Sequence, residues 1–275
     1  MRQRVGIAAV VVLVVAAVAG LVAYGLGVFD GDDEPAAPDL VDSPATTDPV
    51  PTAVPAFCDG MAALDAAVAQ APDDPAVFPA FVTDTLTPTV ATVRGAVPDQ
   101  IAPEVERLLT AVEASAAGDD SGFDDPAYAA AQGEVYPYVA AACGYPQLDV
   151  TAVDHAFEGV PAQVGPGRTV VILHNESKAG EYHEMALVKL LPEATLPLAD
   201  FLALPDEAAT ALIDPTSFGL GVYAPPGEVG ASVVELTPGR WVYACFVPGG
   251  TTQAGVEGTG PPHAAEGMSG ELMVG

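Results

Sequence analysis

Positive charge is scarce in this chain of 275 residues: eight Lys and Arg stand against 37 Asp and Glu, a formal net charge of -29. Two of the eight, Arg2 and Arg4, precede an apolar N-terminal run. The remainder therefore carries six basic residues against 37 acidic ones, a net of -31. A surface of that sign repels phosphate backbones and anionic headgroups, which argues against a nucleic-acid partner. It keeps the chain soluble and would steer a basic partner toward it. Histidine is also rare, with four in all and none from residue 56 to residue 145. No Cys-x-x-Cys is present, which removes the thiol-redox and haem-attachment motifs. The phosphate-cradling Walker loop and the dinucleotide fingerprint are absent too. His183-Glu184 lacks the second histidine of a zinc-protease helix, and Gly267-Met268-Ser269-Gly270-Glu271 is no Gly-x-Ser-x-Gly elbow. The chain does not read as an enzyme.

What is there begins with 25 uncharged, mostly apolar residues from Val5 to Phe29. A membrane-spanning helix needs about 20. Positive charge lies only on its N-terminal side, so the bulk of the chain is expected outside the cytoplasm, held by a single pass through the cell membrane. Ala17-Val18-Ala19 before Gly20 offers a competing signal-peptide cleavage site, so residues 1–29 read as anchor or signal. Residues 30–55 hold six prolines and seven acidic residues without Lys or Arg, the composition of an extended, disordered linker.

Residues 56–147 read as a helical domain. Phe57, Met61, Leu64 and Val68 recur at helical spacing, and Pro103 and Pro126 stand where helices begin. Cys58 and Cys143 bracket the region and are expected to form a disulfide, leaving Cys245 free. Residues 148–275 change period. Short β-prone runs (Val150–Phe157, Arg168–Leu173, His183–Leu190, Ala231–Leu236, Arg240–Val247 and Glu271–Val274) are separated by Pro-Gly turns, the pattern of an antiparallel sandwich. A stretch from Leu190 to Ile213 reads as a helical insert. The fold class is thus α+β and multi-domain: a transmembrane helix, a small helical bundle, then an antiparallel β-sandwich.

Chemistry concentrates near the C-terminus. Trp241, Tyr243 and Cys245 share one face of a strand, with the thiol at the end where a loop begins. His263 and Met268 stand at the far side of that loop, and Gly267 permits a tight turn before the methionine. A thiolate, an imidazole and a thioether are three of the four donors of a blue-copper site, and His183 is the candidate for the second imidazole. His174 reads as a surface or strand-end residue and His155 as an ordinary strand histidine.

The Pro-Gly-x-Trp-x-Tyr-x-Cys strand, the His-x-x-x-x-Met pair, the closing strand Gly270–Val274 and the strand end at Leu173-His174-Asn175 ahead of His183 resemble the cupredoxins, the plastocyanin and azurin type of domain. The resemblance covers residues 148–275. It implies a type 1 copper site with His183, Cys245 and His263 as strong ligands and Met268 as axial ligand. It implies one-electron transfer or copper handling, with a redox partner protein. Asn175 would occupy the strand-end position. The composition and the Phe-Cys and Cys-Gly boundaries of the helical region are similar to those of exported actinobacterial proteins. One departure stands out: 17 residues separate Cys245 from His263, far more than is usual in this family. The alternative is a sandwich that keeps the pattern without metal, serving as a cell-envelope interaction module.

Overall fold

The computed structural model describes residues 54–275 apart from Ala254. The apolar run Val5–Phe29 and nearly all of the 30–55 linker lie outside the described residues. Among the described residues no helix is long and apolar enough to cross a membrane.

The helical part comprises α1 (Pro55–Ala69), α2 (Phe78–Phe81), a π-helical turn (Val82–Leu86), α3 (Thr87–Ala96), α4 (Ala102–Ala116) and α5 (Pro126–Cys143). Proline occupies the first turn of α1, α4 and α5, where its missing N–H costs nothing. Asp125 caps α5 by accepting from Ala127 N, and Pro137 lies inside a helix that nevertheless continues to Cys143. Cys58 and Cys143 are bonded, joining the first turn of α1 to the end of α5. Closing a loop of this size is worth about 4–5 kcal/mol in the chain-entropy account.

The chain then forms β1 (Gln147–Val153), β2 (Ala156–Glu158), β3 (Gln163–Val164), β4 (Gly167–Asn175) and β5 (His183–Lys189). Two short helices follow, α6 (Leu198–Leu202) and α7 (Asp206–Thr210), and then β6 (Gly221–Ala224), β7 (Val229–Leu236), β8 (Gly239–Ala244) and β9 (Ser269–Val274). One sheet has the order β2-β1-β4-β7 and the other β3-β9-β8-β5-β6. The sandwich is mixed rather than purely antiparallel, because β1 runs parallel to β4 and β3 parallel to β9. The expected single strand from Val150 to Phe157 is broken: Asp154, at φ 42°, reverses the chain between β1 and β2.

Four layers result. The sheets enclose a core that includes Val150, Val171, Leu173, Leu187, Trp241, Cys245, Met268 and Leu272. The outward faces of β4 and β7, through Val170, Ile172, Ala231 and Val233, join the helical core of Phe57, Leu109, Val135 and Val139. On the opposite side Val188 and Val242 pack under Phe201 and Ile213 of the α6–α7 insert. Both faces of β4 are therefore buried, which is why Val170-Val171-Ile172-Leu173 is a continuous apolar run rather than an alternating one.

The helices also cover a strand edge. β7 ends its sheet, and its Val233 N–H donates to Asp65 Oδ2 on α1 at 2.6 Å while Gln132 Nε2 on α5 donates to Ala231 O at 3.2 Å. Side chains thus satisfy backbone groups that would otherwise template pairing with another chain. Tyr136 donates its hydroxyl to the other Asp65 oxygen at 2.7 Å. Desolvation dominates over these two bonds and pushes the Asp65 carboxyl up to about 7. A free aspartate ionises near 4. The unfolded chain therefore releases this proton first, and the folded chain keeps it until about pH 7. The stability this group contributes is full below about pH 4 and is lost as pH rises through 7.

Asp65→Asn should cost about 1–3 kcal/mol, because the amide NH2 replaces one of the two accepting oxygens and leaves either the Val233 N–H or the Tyr136 hydroxyl facing a donor. The stability gap between wild type and variant should narrow from about pH 4 to pH 7. Denaturation midpoints across that range check it; a gap that does not change with pH removes Asp65 as the source.

Candidate metal centre

The structure brings three of the four expected site residues to one point. β8 ends at Ala244, so the Cys245 side chain stands at the rim of the sandwich, still fully buried. His183 opens β5, three residues before Ala186, where the β5–β8 pairing begins opposite Ala244, and it is also fully buried. His263 begins a 3-10 turn (His263–Glu266) and is equally enclosed. Cys245 Sγ lies 3.7 Å from His183 Nδ1 and 3.4 Å from His263 Nδ1. The three atoms all lie within 4.8 Å of one another.

Those separations suit an ion. Metal–nitrogen and metal–sulfur bonds of about 2.0–2.3 Å in a trigonal plane place donor atoms about 3.5–4 Å apart. Met268 follows Gly267, whose φ of 108° makes the turn. Its side chain is fully buried in the inter-sheet core, and its backbone is tied to both neighbours: Cys245 N donates to Met268 O at 3.0 Å, and Met268 N donates to His263 O at 3.0 Å. Asn175 holds the site from behind. Its Nδ2 donates to Glu181 O and Ala224 O, fixing the loop that leads into His183. His174 lies on the surface near Asp149, as expected.

The long loop does not separate the donors, because its excess length is folded away. Pro248 pairs with Pro262, Gly249 N donates to Pro261 O, and Gly260 N returns to Gly249 O. Residues between those feet form a side excursion. Gly258 is required there, since a Cβ would meet Gly249 O at 2.2 Å. Inside the feet, His263 N donates to Val247 O and Ala264 N to Cys245 O at 2.7 Å. The path from cysteine to histidine that matters for geometry is therefore short. Loop length costs little in closure entropy once its ends are pinned.

Electrostatics favour neutral donors before any ion arrives. Burial, reinforced by His263, lowers the pKa of His183 to about 4, so its ring is unprotonated near neutrality. Burial lowers His263 as well. Burial, with the Glu184 carboxyl nearby, pushes the Cys245 thiol well above its usual range, while the Glu184 N–H at 3.4 Å favours the thiolate. A cation would displace the thiol proton and repay the desolvation. A soft thiolate with two neutral imidazoles is the donor set of a type 1 copper site. The site fits a cupredoxin domain.

No family model and no curated protein matches the chain. Among solved structures, it is similar to auracyanin A from Chloroflexus aurantiacus at 19% identity, covering 47% of this chain and 98% of that one with a TM-score of 0.30. It is similar to reduced auracyanin from Roseiflexus castenholzii at 20% identity, over 47% and 96%, with a TM-score of 0.31. Rusticyanin from Thiobacillus ferrooxidans gives 23% identity over 47% and 77%, with a TM-score of 0.28. The copper assignment stands on the three converged donor atoms.

One residue that holds the site escaped the sequence reading. Glu184 is buried beside His183, and its Oε1 accepts from Phe246 N at 3.0 Å, clamping the residue after the cysteine. The available signal was a glutamate in an otherwise apolar strand, His183-Glu184-Met185-Ala186-Leu187. Glu184→Ala should leave the Phe246 N–H unpartnered and cost about 1–3 kcal/mol. Glu184→Gln, which keeps the acceptor, should restore most of it. Thermal unfolding of the two variants checks this, and equal losses would mean that the hydrogen bond is not what matters.

Proposed function

We propose that the protein binds copper through Cys245, His183 and His263, with Met268 as the axial donor, and that it carries single electrons or hands on copper outside the cytoplasm. The observation that carries this reading is the convergence of one buried thiol and two buried imidazole nitrogens on a single point. Bound copper would supply a one-electron couple. The chain's own residues hold the donors in place and keep water out: Glu184 and the loop feet fix Cys245 and His263, Asn175 fixes the approach to His183, and the inter-sheet core closes the inner side. Held donors need little movement when the charge of the ion changes.

Export and anchoring belong to the same proposal. The apolar run after Arg2 and Arg4, the acidic Pro-rich linker and the Cys58–Cys143 disulfide together favour an oxidising compartment with the folded part standing off the membrane. The redox partner is then another protein. The acidic surface would steer a basic one toward it.

One equivalent of Cu2+ added to the full chain should be retained and produce an intense blue colour from the copper–thiolate bond. Cys245→Ser should abolish the colour. Met268→Leu should keep it while moving the reduction potential, since the axial ligand tunes that potential. Absorption spectra and metal analysis after desalting read all three. A wild-type chain that retains no copper would instead support the copper-free envelope module.

A further inference from the structure

The His263 ring has two sides, and the copper site uses one. Nδ1 faces the thiol. Nε2 faces away from it, toward Glu181 Oε2 at 3.3 Å. The ring is completely buried, yet Nε2 has no aligned hydrogen-bond partner. The only acceptor facing this buried nitrogen among the described residues is thus a carboxylate oxygen in poor alignment. Other donors stand around it. The His155 ring lies beside His263, tilted by 33° with ring centroids 5.3 Å apart, and Glu266 Oε2 lies 3.1 Å from His155 Nε2. One ligand atom each from His155, Glu181 and His263 falls within 4.8 Å of the others.

This second cluster is held from several directions. Asp154 adopts its left-handed conformation and accepts from Lys178 N at 3.0 Å, which sets the β1–β2 turn and the position of His155. Glu181 uses its other oxygen to accept from Gly250 N in the loop excursion, and the adjoining Tyr182 N donates to Thr251 O at 2.9 Å. The excursion thus steadies one carboxylate of the cluster. Glu181 and His263 are largely shielded, whereas the His155 side chain is 43% exposed and gives the cluster an opening to solvent.

We propose that His155, Glu181 and His263 Nε2 form a second divalent-cation site, outboard of the copper centre, with Glu266 as a further carboxylate donor. It goes beyond the copper reading but shares His263 with it, so the imidazole bridges two ions. Imidazole nitrogen with carboxylate oxygen is a donor set that suits Zn2+ or Cu2+ and lacks the thiolate that marks the inner site. With a cation on Nε2 that nitrogen holds no proton, and the proton passes to solvent. A cation there would take the place of the long, poorly aligned contact between His263 Nε2 and Glu181 Oε2. Because one ring touches both ions, occupancy of the outer site should alter the spectrum of the inner one.

Zinc is the probe. The full chain, loaded with one equivalent of copper, is titrated with Zn2+ by calorimetry, and both metals are counted after desalting. The expected result is one additional zinc per chain, with copper retained and its absorption shifted. His155→Ala, at a solvent-exposed turn, should weaken zinc binding at least about tenfold and leave the blue colour intact, and Glu181→Gln should weaken zinc binding likewise. The arms separate this proposal from the copper reading. If the chain never turns blue, zinc is titrated into Cys245→Ser, where uptake that depends on His155 still supports the outer site. Zinc uptake indifferent to His155→Ala, zinc that merely displaces copper, or no uptake by a blue protein overturns it.

Discussion

The pairing of the loop feet at Pro248 and Pro262 is the constraint on which the site depends. Cys245 and His263 are 18 positions apart, and a free loop of that length would let them wander. The backbone bonds from Gly249 to Pro261, from His263 to Val247 and from Ala264 to Cys245 remove that freedom. Each such bond contributes only about 0.5–1.5 kcal/mol, but several in one ladder hold the two donors together. The excursion beyond the feet is then free for other use. It supplies Gly250 and Thr251 to hold Glu181 and Tyr182, so the insertion that lengthens the ligand loop also builds the wall outside it.

Burying a thiol and two imidazoles together is costly, and the remainder of the fold makes it tolerable. Every layer of the molecule closes on the sheets: helices on the β4–β7 face, the α6–α7 insert on the β5–β8 face, and the inter-sheet core between. A sheet covered on both sides cannot relax easily, so the ends of β5 and β8 keep His183 and Cys245 in register. The helical part also shields the β7 edge through Asp65 and Gln132, two polar residues placed where backbone groups need partners. The disulfide holds the first and last helices of that layer together.

Much of this is legible in the sequence. Cysteine, histidine and methionine near the C-terminus are chemically distinctive and close in sequence, so their types and order pointed to copper. Phe57, Met61 and Leu64 declared a helix by spacing, and the bracketing Cys58 and Cys143 suggested their bond. Other features carried weaker local signals. β6 is four residues long beside Pro225-Pro226, too short for an alternating pattern to register. The parallel pairing of β1 with β4 depends on which strands meet, which alternation does not encode. His155 looked like a strand residue because Val150–Phe157 is β-prone throughout, while the left-handed turn at Asp154 is a single dihedral.

The succession of a helical part and a β-rich part, the disulfide pair and the chemistry of the C-terminal donors were determined by the sequence alone, because composition and short-range spacing are local properties. Which donors meet was decided only in three dimensions. His183 joins Cys245 across 62 positions through strand pairing, and His155 reaches His263 across a sandwich end. Glu181 faces the outer side of the His263 ring because the loop excursion pins it there. The physical reason is the same in each case. A side chain's neighbours across a fold are set by register and layer packing, which are relations between distant segments and leave little trace in any one of them.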